Sequence, residues 1–361
     1  MLYNYNINDK WGVMMIQVGI VGVTGYAGAE LVRILSGHPA VNIVHAMSKS
    51  YGGQALARLY PSLRGVEDLI CEEISLEALK RDCDVVFTAL PHGTAAGIIS
   101  ELMKQPQLKV IDLSADFRYR DPDLYQQWYG LEHCAKDLLE QAVYGLCELY
   151  RQEIKQARLI GNPGCYTTCS ILGAAPLLAN HLVQPNSLVI DAKSGVSGAG
   201  RKLVIDNHFC ECTENTKAYS VAKHRHTSEI EQELSLLAGQ DVVLSFTPHL
   251  IPQKRGILAT IYGNLHEMKS TGELLDVYRD FYQGEHFIRI YEEGTLPETN
   301  HVAGSNFVDI GLVVDERTNR VVVISCIDNL YKGAAGQAVQ NMNLLFGLPE
   351  TTAIDCPGFY L

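Results

Sequence analysis

The segment Gly161-Asn162-Pro163-Gly164-Cys165-Tyr166-Thr167-Thr168-Cys169 follows a short apolar run at 158–160 and opens a helical stretch at 168–180. A thiol at a helix N-terminus has its thiolate favoured by the dipole and by unpaired N–H groups. The same N–H groups could hold an oxyanion. A buried, inert thiol is the default for any cysteine, and Cys169, one turn later, reads that way. Cys165, at the mouth of the turn, reads as a nucleophile. A nucleophilic thiol needs a proton acceptor, and Lys223-His224-Arg225-His226-Thr227 offers two. In an extended segment alternate residues share a face, so His224 and His226 would point one way and Arg225 the other. Thr227 or Ser228 would cap the helix that follows, and Ser228 with Glu231 spells a capping box. A His-x-His pair is also half a metal site. No third ligand cluster accompanies it, so no metal is expected.

A second constellation is Gly22-Val23-Thr24-Gly25-Tyr26-Ala27-Gly28, a GxxGxxG turn between an apolar run at 16–23 and a helical stretch at 29–35. Small residues let backbone approach a pyrophosphate, and the helix start supplies N–H groups. Glycines also occur in such turns for packing alone, so the context must decide. The second strand ends in Ala46-Met47-Ser48-Lys49-Ser50. It places no carboxylate where an NAD site would bind ribose hydroxyls. Two hydroxyls and an ammonium suit a 2′-phosphate, which points to NADP.

These segments need a frame. Apolar runs at 16–23, 41–47, 84–90 and 108–113 alternate with helical stretches, one of them at 94–104. That pattern gives parallel βαβ units, an α/β Rossmann-type doubly wound sheet. Beyond residue 164 strand-like runs at 188–193, 242–248, 258–262, 307–314 and 321–327 have few long helices between them. They predict a second, α+β domain on a mixed or antiparallel sheet. A last helix at 334–346 stops at Gly347-Leu348-Pro349.

The chain has 361 residues, 47% hydrophobic and 19% charged, enough for two cores and unlike a disordered chain. Its net charge of −12 disfavours nucleic acid and anionic membranes as partners. No run approaches 18 apolar residues, so no membrane span is expected. Residues 1–14 carry no export pattern, and Met14 or Met15 would serve as well as a start. The ten cysteines form no CxxC and need no disulfide framework, which suits a reducing cytoplasm.

The strings GVTGYAGAELVRIL, ALPHGTA, DLSADFR, GNPGCYTT, KSGVSGAGR, KHRHTSEI and KGAAGQAVQNMNLLFGL occur in that order. Together they resemble the N-acetyl-gamma-glutamyl-phosphate reductase family, grouped with aspartate-semialdehyde dehydrogenase among acyl-phosphate reductases. The resemblance runs from about residue 16 to 350. It implies NADPH-dependent reduction of N-acetyl-gamma-glutamyl phosphate to the semialdehyde, with release of phosphate, in arginine biosynthesis. It makes Cys165 the thioester-forming nucleophile. His226 would relay its proton and later protonate the alkoxide, with His224 in support or on substrate. The substrate carries two anionic groups. Arg118 and Arg201 would grip them, with Ser114, Asn162, Ser197 and Gly198 beside them. Pro91, His92, Ser194, Gly195 and Asn329 would line the nicotinamide side. The resemblance also implies a discontinuous cofactor domain, 1–164 with 329–361, around a catalytic and oligomerisation domain, 165–328. It implies a homodimer or homotetramer. Two readings compete. One is a reductase for N-acetyl-aminoadipyl or aspartyl phosphate, and the other is a nucleotide-sensing protein without catalysis.

Overall fold

The run at 16–23 supplies the interior strand β1 (Ile16–Val21), in which Val18, Ile20 and Val21 are wholly buried. A strand covered on both faces reads as a continuous apolar run rather than an alternating one. It pairs in parallel with β2 (Val41–Met47) on one side and β3 (Val85–Thr88) on the other. With β4 (Lys109–Asp112), β5 (Ala142–Tyr144) and β6 (Leu159–Gly161) it builds an all-parallel sheet in the order β2-β1-β3-β4-β6-β5. The chain leaves β1 for β2 on one side and returns to β3 on the other. This reversal opens a crevice beyond the carboxyl ends of β1 and β3, where ligands of such sheets bind. The computed structural model describes residues 15–359; the reading of residues 1–14 lies outside them.

The second sheet is mixed, in the order β11-β12-β13-β10-β7-β9-β8. Its strands are β7 (Val189–Gly195), β8 (Lys217–Ala218), β9 (Ser245–Ile251), β10 (Ile257–Asn264), β11 (Ile288–Ile290), β12 (Val308–Asp315) and β13 (Arg320–Ile327). Strand β9 starts later than the run at 242–248 suggests. The N–H of Val242 donates to Ser235 Oγ at 2.9 Å and that of Leu244 to Glu231 Oε1 at 3.0 Å. Side chains of the helix His226–Ala238 thus take donors that a ladder would have used. The helix Thr271–Phe281 was not anticipated. Its signal is nonetheless present: Ser270 and Glu273 form a capping box, and Leu274, Leu275 and Tyr278 face inward.

The helix Cys165–Ala179 begins at the cysteine itself, earlier than the stretch at 168–180. From Tyr166 to Leu178 every residue is buried, which explains its weak amphipathicity. It packs on β10 and β13 and on the helix His226–Ala238. Gly173 permits the approach to the sheet, since a Cβ there would lie 2.6 Å from Ile261 Cδ1. The last helix, Gly336–Leu345, follows a π-helical turn, Tyr331–Ala335. Its Ala338, Val339 and Met342 share a core with Ile20, Val85 and Ile160 of the parallel sheet. Arg255 ties the two sheets' surroundings together, meeting Glu30 at 2.7 Å and Asp328 at 3.3 Å.

Candidate active site

The turn between β6 and the buried helix is fixed from several sides. Asn162 donates its N–H to Asp112 O at 2.8 Å and its Nδ2 to Ala334 O at 3.2 Å. Its carbonyl accepts from Arg118 Nε at 2.7 Å, and its Oδ1 from Asn341 Nδ2 at 3.0 Å. Gly164 is the extended N-cap residue, and no side chain caps the helix. The Gly164 N–H instead reaches the wholly buried Glu229 at 3.0 Å. The same oxygen, Oε1, accepts from Tyr144 OH at 2.8 Å and Thr167 Oγ1 at 2.9 Å, and Oε2 meets Arg118 NH1 at 3.2 Å.

Cys165 keeps a partly open surface, yet packing around it pushes the thiol up to about 11. Burial is the main cause. The N–H groups of Tyr166 and Cys165 and the charge of Arg118 pull the other way, while Glu229 adds to the rise. This corrects the expectation from the helix N-terminus: in the free protein desolvation outweighs the dipole. On its other side Cys165 faces Gly333 of the π-helical turn. A Cβ on Gly333 would stand 2.7 Å from Cys165 Cβ, so only glycine fits.

His226 leans over the residue before the nucleophile. A Cβ on Gly164 would lie 2.5 Å from His226 Nε2 and 2.9 Å from Arg118 NH1. Its Nδ1 is buried and finds no hydrogen-bond partner among the described residues. Burial first, then the charges of Arg118 and Arg225, lower His226 to about 3. His224 falls to about 2, by burial and then by His226 and Arg225. Both rings are therefore neutral. His224 Nδ1 accepts the His226 N–H at 3.2 Å, and its ring sits edge-on to those of Tyr166, Tyr219 and Phe246. The two histidine rings share a side, 4.8 Å apart, while Arg225 turns away to His92 Nε2 and over the Tyr129 ring. The backbone doing this is not extended, because Arg225 is already helical and His226 opens the helix. The anticipated capping box is absent for the same reason: Ser228 Oγ donates to Arg225 O at 3.0 Å, and Glu231 serves Leu244.

Arg118 is buried, with three donors on Asn162 O, Leu113 O and Glu229. Ser114 is also held within the protein. It donates to Asp112 Oδ2 at 2.5 Å and accepts from Asp116 N at 3.1 Å. Asn329 links a further group: its Nδ2 donates to Ser197 Oγ at 2.9 Å and its Oδ1 accepts from Gly256 N at 2.8 Å. A Cβ on Gly198 would lie 3.6 Å from both Asn329 Nδ2 and Ser194 Oγ, so Ser194, Ser197, Gly198 and Asn329 form one cluster. Gly195 is pressed on Lys254, which leaves no room for a side chain.

At the first crevice Gly22 turns with φ +92°, and a Cβ there would lie 2.9 Å from the Ala89 carbonyl carbon. Gly28 is closed in by Val23 Cα in the same way, at 2.8 Å. The helix Tyr26–Leu35 has Gly25 as N-cap, no side-chain cap and no acid in its first turn. Its start, with Tyr26 and Ala27, is open to an anion, so the turn fits a dinucleotide's phosphates. Thr24 Oγ1 shares a hydrogen bond with Ser48 Oγ at 3.0 Å; Lys49 and Ser50 are exposed. Pro91 and His92 leave β3 on the neighbouring edge. Arg201 is found here as well. Its NH1 donates to Thr24 O at 3.0 Å, so the structure groups it with the glycine turn rather than with Arg118 and Asn162.

Two family models match the chain: the NAD binding domain of semialdehyde dehydrogenase over residues 17–157 and its dimerisation domain over residues 165–329. The N-acetyl-gamma-glutamyl-phosphate reductase of Acetivibrio thermocellus is 55% identical over 347 residues, covering 96% of this chain and 100% of that protein. That of Desulforamulus reducens is 57% identical over 346 residues, with 96% and 100% covered. The chain belongs to the N-acetyl-gamma-glutamyl-phosphate reductase family. Its fold is also that of aspartate semialdehyde dehydrogenase II from Vibrio cholerae, with TM-score 0.72 at 15% identity over 92% of this chain and 99% of that one.

In this member of the reductase family the sequence reading left out Glu229, Tyr144, Gly333 and Asn341. Glu229 had a usable signal, lying three residues after His226 on the same helix face. The others come from distant segments and carry none. All ten cysteines are free thiols. Among the described residues no group of His, Cys, Asp and Glu could hold a metal ion, and no helix is long and apolar enough to cross a membrane.

Proposed function

We propose that this chain reduces N-acetyl-gamma-glutamyl phosphate to N-acetylglutamate 5-semialdehyde and phosphate with NADPH, through a thioester on Cys165, in arginine biosynthesis. The observation that carries the reading is the pairing at one turn: Cys165 opens an uncapped helix, and the neutral His226 lies over Gly164. A neutral imidazole can take the thiol proton, and a thiol held near 11 needs such an acceptor at neutral pH.

In this mechanism His226 takes the proton as Cys165 Sγ attacks the acyl carbon. The C–S bond forms, the C–O bond to phosphate breaks, and phosphate leaves with the electron pair and the proton from His226. The N–H groups of Cys165 and Tyr166 stabilise the oxyanion. NADPH, when bound at the glycine turn, supplies the hydride that reduces the thioester carbon. The resulting oxyanion collapses, C=O reforms and C–S breaks. Cys165 leaves as thiolate and regains a proton from solvent through His226. Burial, joined by Arg118 and Arg225, holds His226 neutral in the free protein; the two charges are what an anionic substrate would offset, raising the imidazole's basicity when substrate is present. His224 fixes the His226 backbone rather than moving protons, as its Nδ1 is already occupied.

The names of the relatives favour the glutamyl chain length. An extra methylene would change selectivity by only about 1–3 kcal/mol. Side-by-side kcat/KM on N-acetyl-glutamyl, N-acetyl-aminoadipyl and aspartyl phosphates decides the substrate. The glutamyl compound should lead, and a preference for either of the others overturns this choice. The same reading makes the protein a cytoplasmic homodimer or homotetramer. Its cofactor domain takes in 329–361, whose helix Gly336–Leu345 shares the core of the parallel sheet.

A further inference from the structure

The sequence reading put Arg201 on the substrate, but its surroundings belong to the cofactor crevice. The segment Val196–Ala199 and the residues after it leave β7 of the second sheet and reach the first sheet's glycine turn. There Arg201 NH1 bonds Thr24 O, and the guanidinium lies over the ring of Tyr60, 5.4 Å from its centroid, and over that of Tyr51 at 6.0 Å. Tyr60 OH donates to the same Thr24 carbonyl at 2.9 Å. The Thr24 side chain meets Ser48, at the end of β2, where the ribose of a bound dinucleotide's adenosine half falls in such folds. Glu72 is tied to this strand end through its backbone, its carbonyl accepting from Ser48 N, but its side chain turns back onto His45 at 2.8 Å. An exposed arginine backed by two aromatic faces, beside two hydroxyls and the exposed Lys49, is a phosphate-binding set.

We infer that Arg201, contributed by the second domain, folds over the adenosine end of the cofactor and binds its 2′-phosphate. This makes it a specificity residue for NADPH over NADH. The inference rests on the proposed use of NADPH. Selectivity would then depend on both domains, not on the β2 terminus alone.

The test is equilibrium binding by calorimetry on the full chain, with 2′,5′-ADP and 5′-AMP as probes and NADP+ and NAD+ beside them. Arg201 is exposed, so Arg201→Ala is not expected to disturb folding. It should raise the Kd for 2′,5′-ADP and NADP+ by roughly ten- to a hundredfold and leave 5′-AMP and NAD+ within about twofold. Arg201→Lys should recover part of the loss. Equal weakening of both pairs, or no change in either, overturns the assignment. So does a raised KM for the acyl phosphate with cofactor binding unaltered, which would return Arg201 to the substrate. A wild-type chain that fails to distinguish 2′,5′-ADP from 5′-AMP would instead refute the NADPH reading.

Discussion

Glu229→Gln is the most informative change, because four donors converge on that carboxylate. Oε1 holds Gly164 N, Tyr144 OH and Thr167 Oγ1, and Oε2 holds Arg118. A glutamine has one oxygen. Placed at Oε1 it keeps three donors and sets an NH2 against the Arg118 guanidinium; flipped, it strands the other three. Either way buried Arg118 loses its counter-charge, a loss on the order of 3–5 kcal/mol. Arg118 keeps the Leu113 and Asn162 carbonyls, so about 3 kcal/mol is expected. For a domain of this size that lowers Tm by roughly 6–12 °C. The thiol should respond in the opposite sense. Glu229 raises Cys165 and Arg118 lowers it, so removing the carboxylate brings the thiol down from about 11. Calorimetric melting gives the first quantity. The pH profile of iodoacetamide alkylation, read on the Cys165 peptide by mass spectrometry, gives the second. A variant that melts within about 2 °C of wild type with an unshifted alkylation profile refutes the role given to Glu229.

Two further changes probe neighbouring parts. Asp112 is pushed up to about 6 by burial and by Asp116, from an ordinary value of 3.8. Folding therefore holds its proton, and stability falls as pH rises from about 4 to about 6. Asp112→Asn lacks this fall, so its urea midpoint should gain on wild type through that window; parallel profiles would contradict it. Gly333→Ala would place a methyl 2.7 Å from Cys165 Cβ and 3.1 Å from its Cα. It should cut kcat roughly a hundredfold with NADP+ binding retained, and a kcat within about threefold of wild type would remove the turn from the account.

Much of the site was legible because its key residues sit where local rules are strong. The GxxGxxG turn and Cys165 each lie at a strand-to-helix junction, and residue type and position there point to the proposed chemistry. The two histidines were found from spacing, although the backbone uses a helix start rather than an extended strand. The failures came from long-range contacts. Ser228 and Glu231 spell a capping box, but a tertiary demand from Leu244 claims Glu231. Cys165 sits at a dipole that favours its thiolate, yet burial, which no local pattern reports, prevails. Arg201 ends a motif read as substrate-binding, and only the path of the loop after β7 shows that it meets Thr24. Gly333 is decisive by the approach of Cys165, across a sequence separation no motif spans.

The central claim is a covalent acyl group on Cys165. Incubating the protein with N-acetyl-gamma-glutamyl phosphate without NADPH, quenching in acid and mapping peptides by mass spectrometry tests it directly. The account predicts an N-acetylglutamyl adduct on the Cys165 peptide, lost when NADPH is added and absent in Cys165→Ser. An adduct on another residue, or phosphate-dependent reduction of NADP+ by the semialdehyde that survives Cys165→Ser, would contradict it.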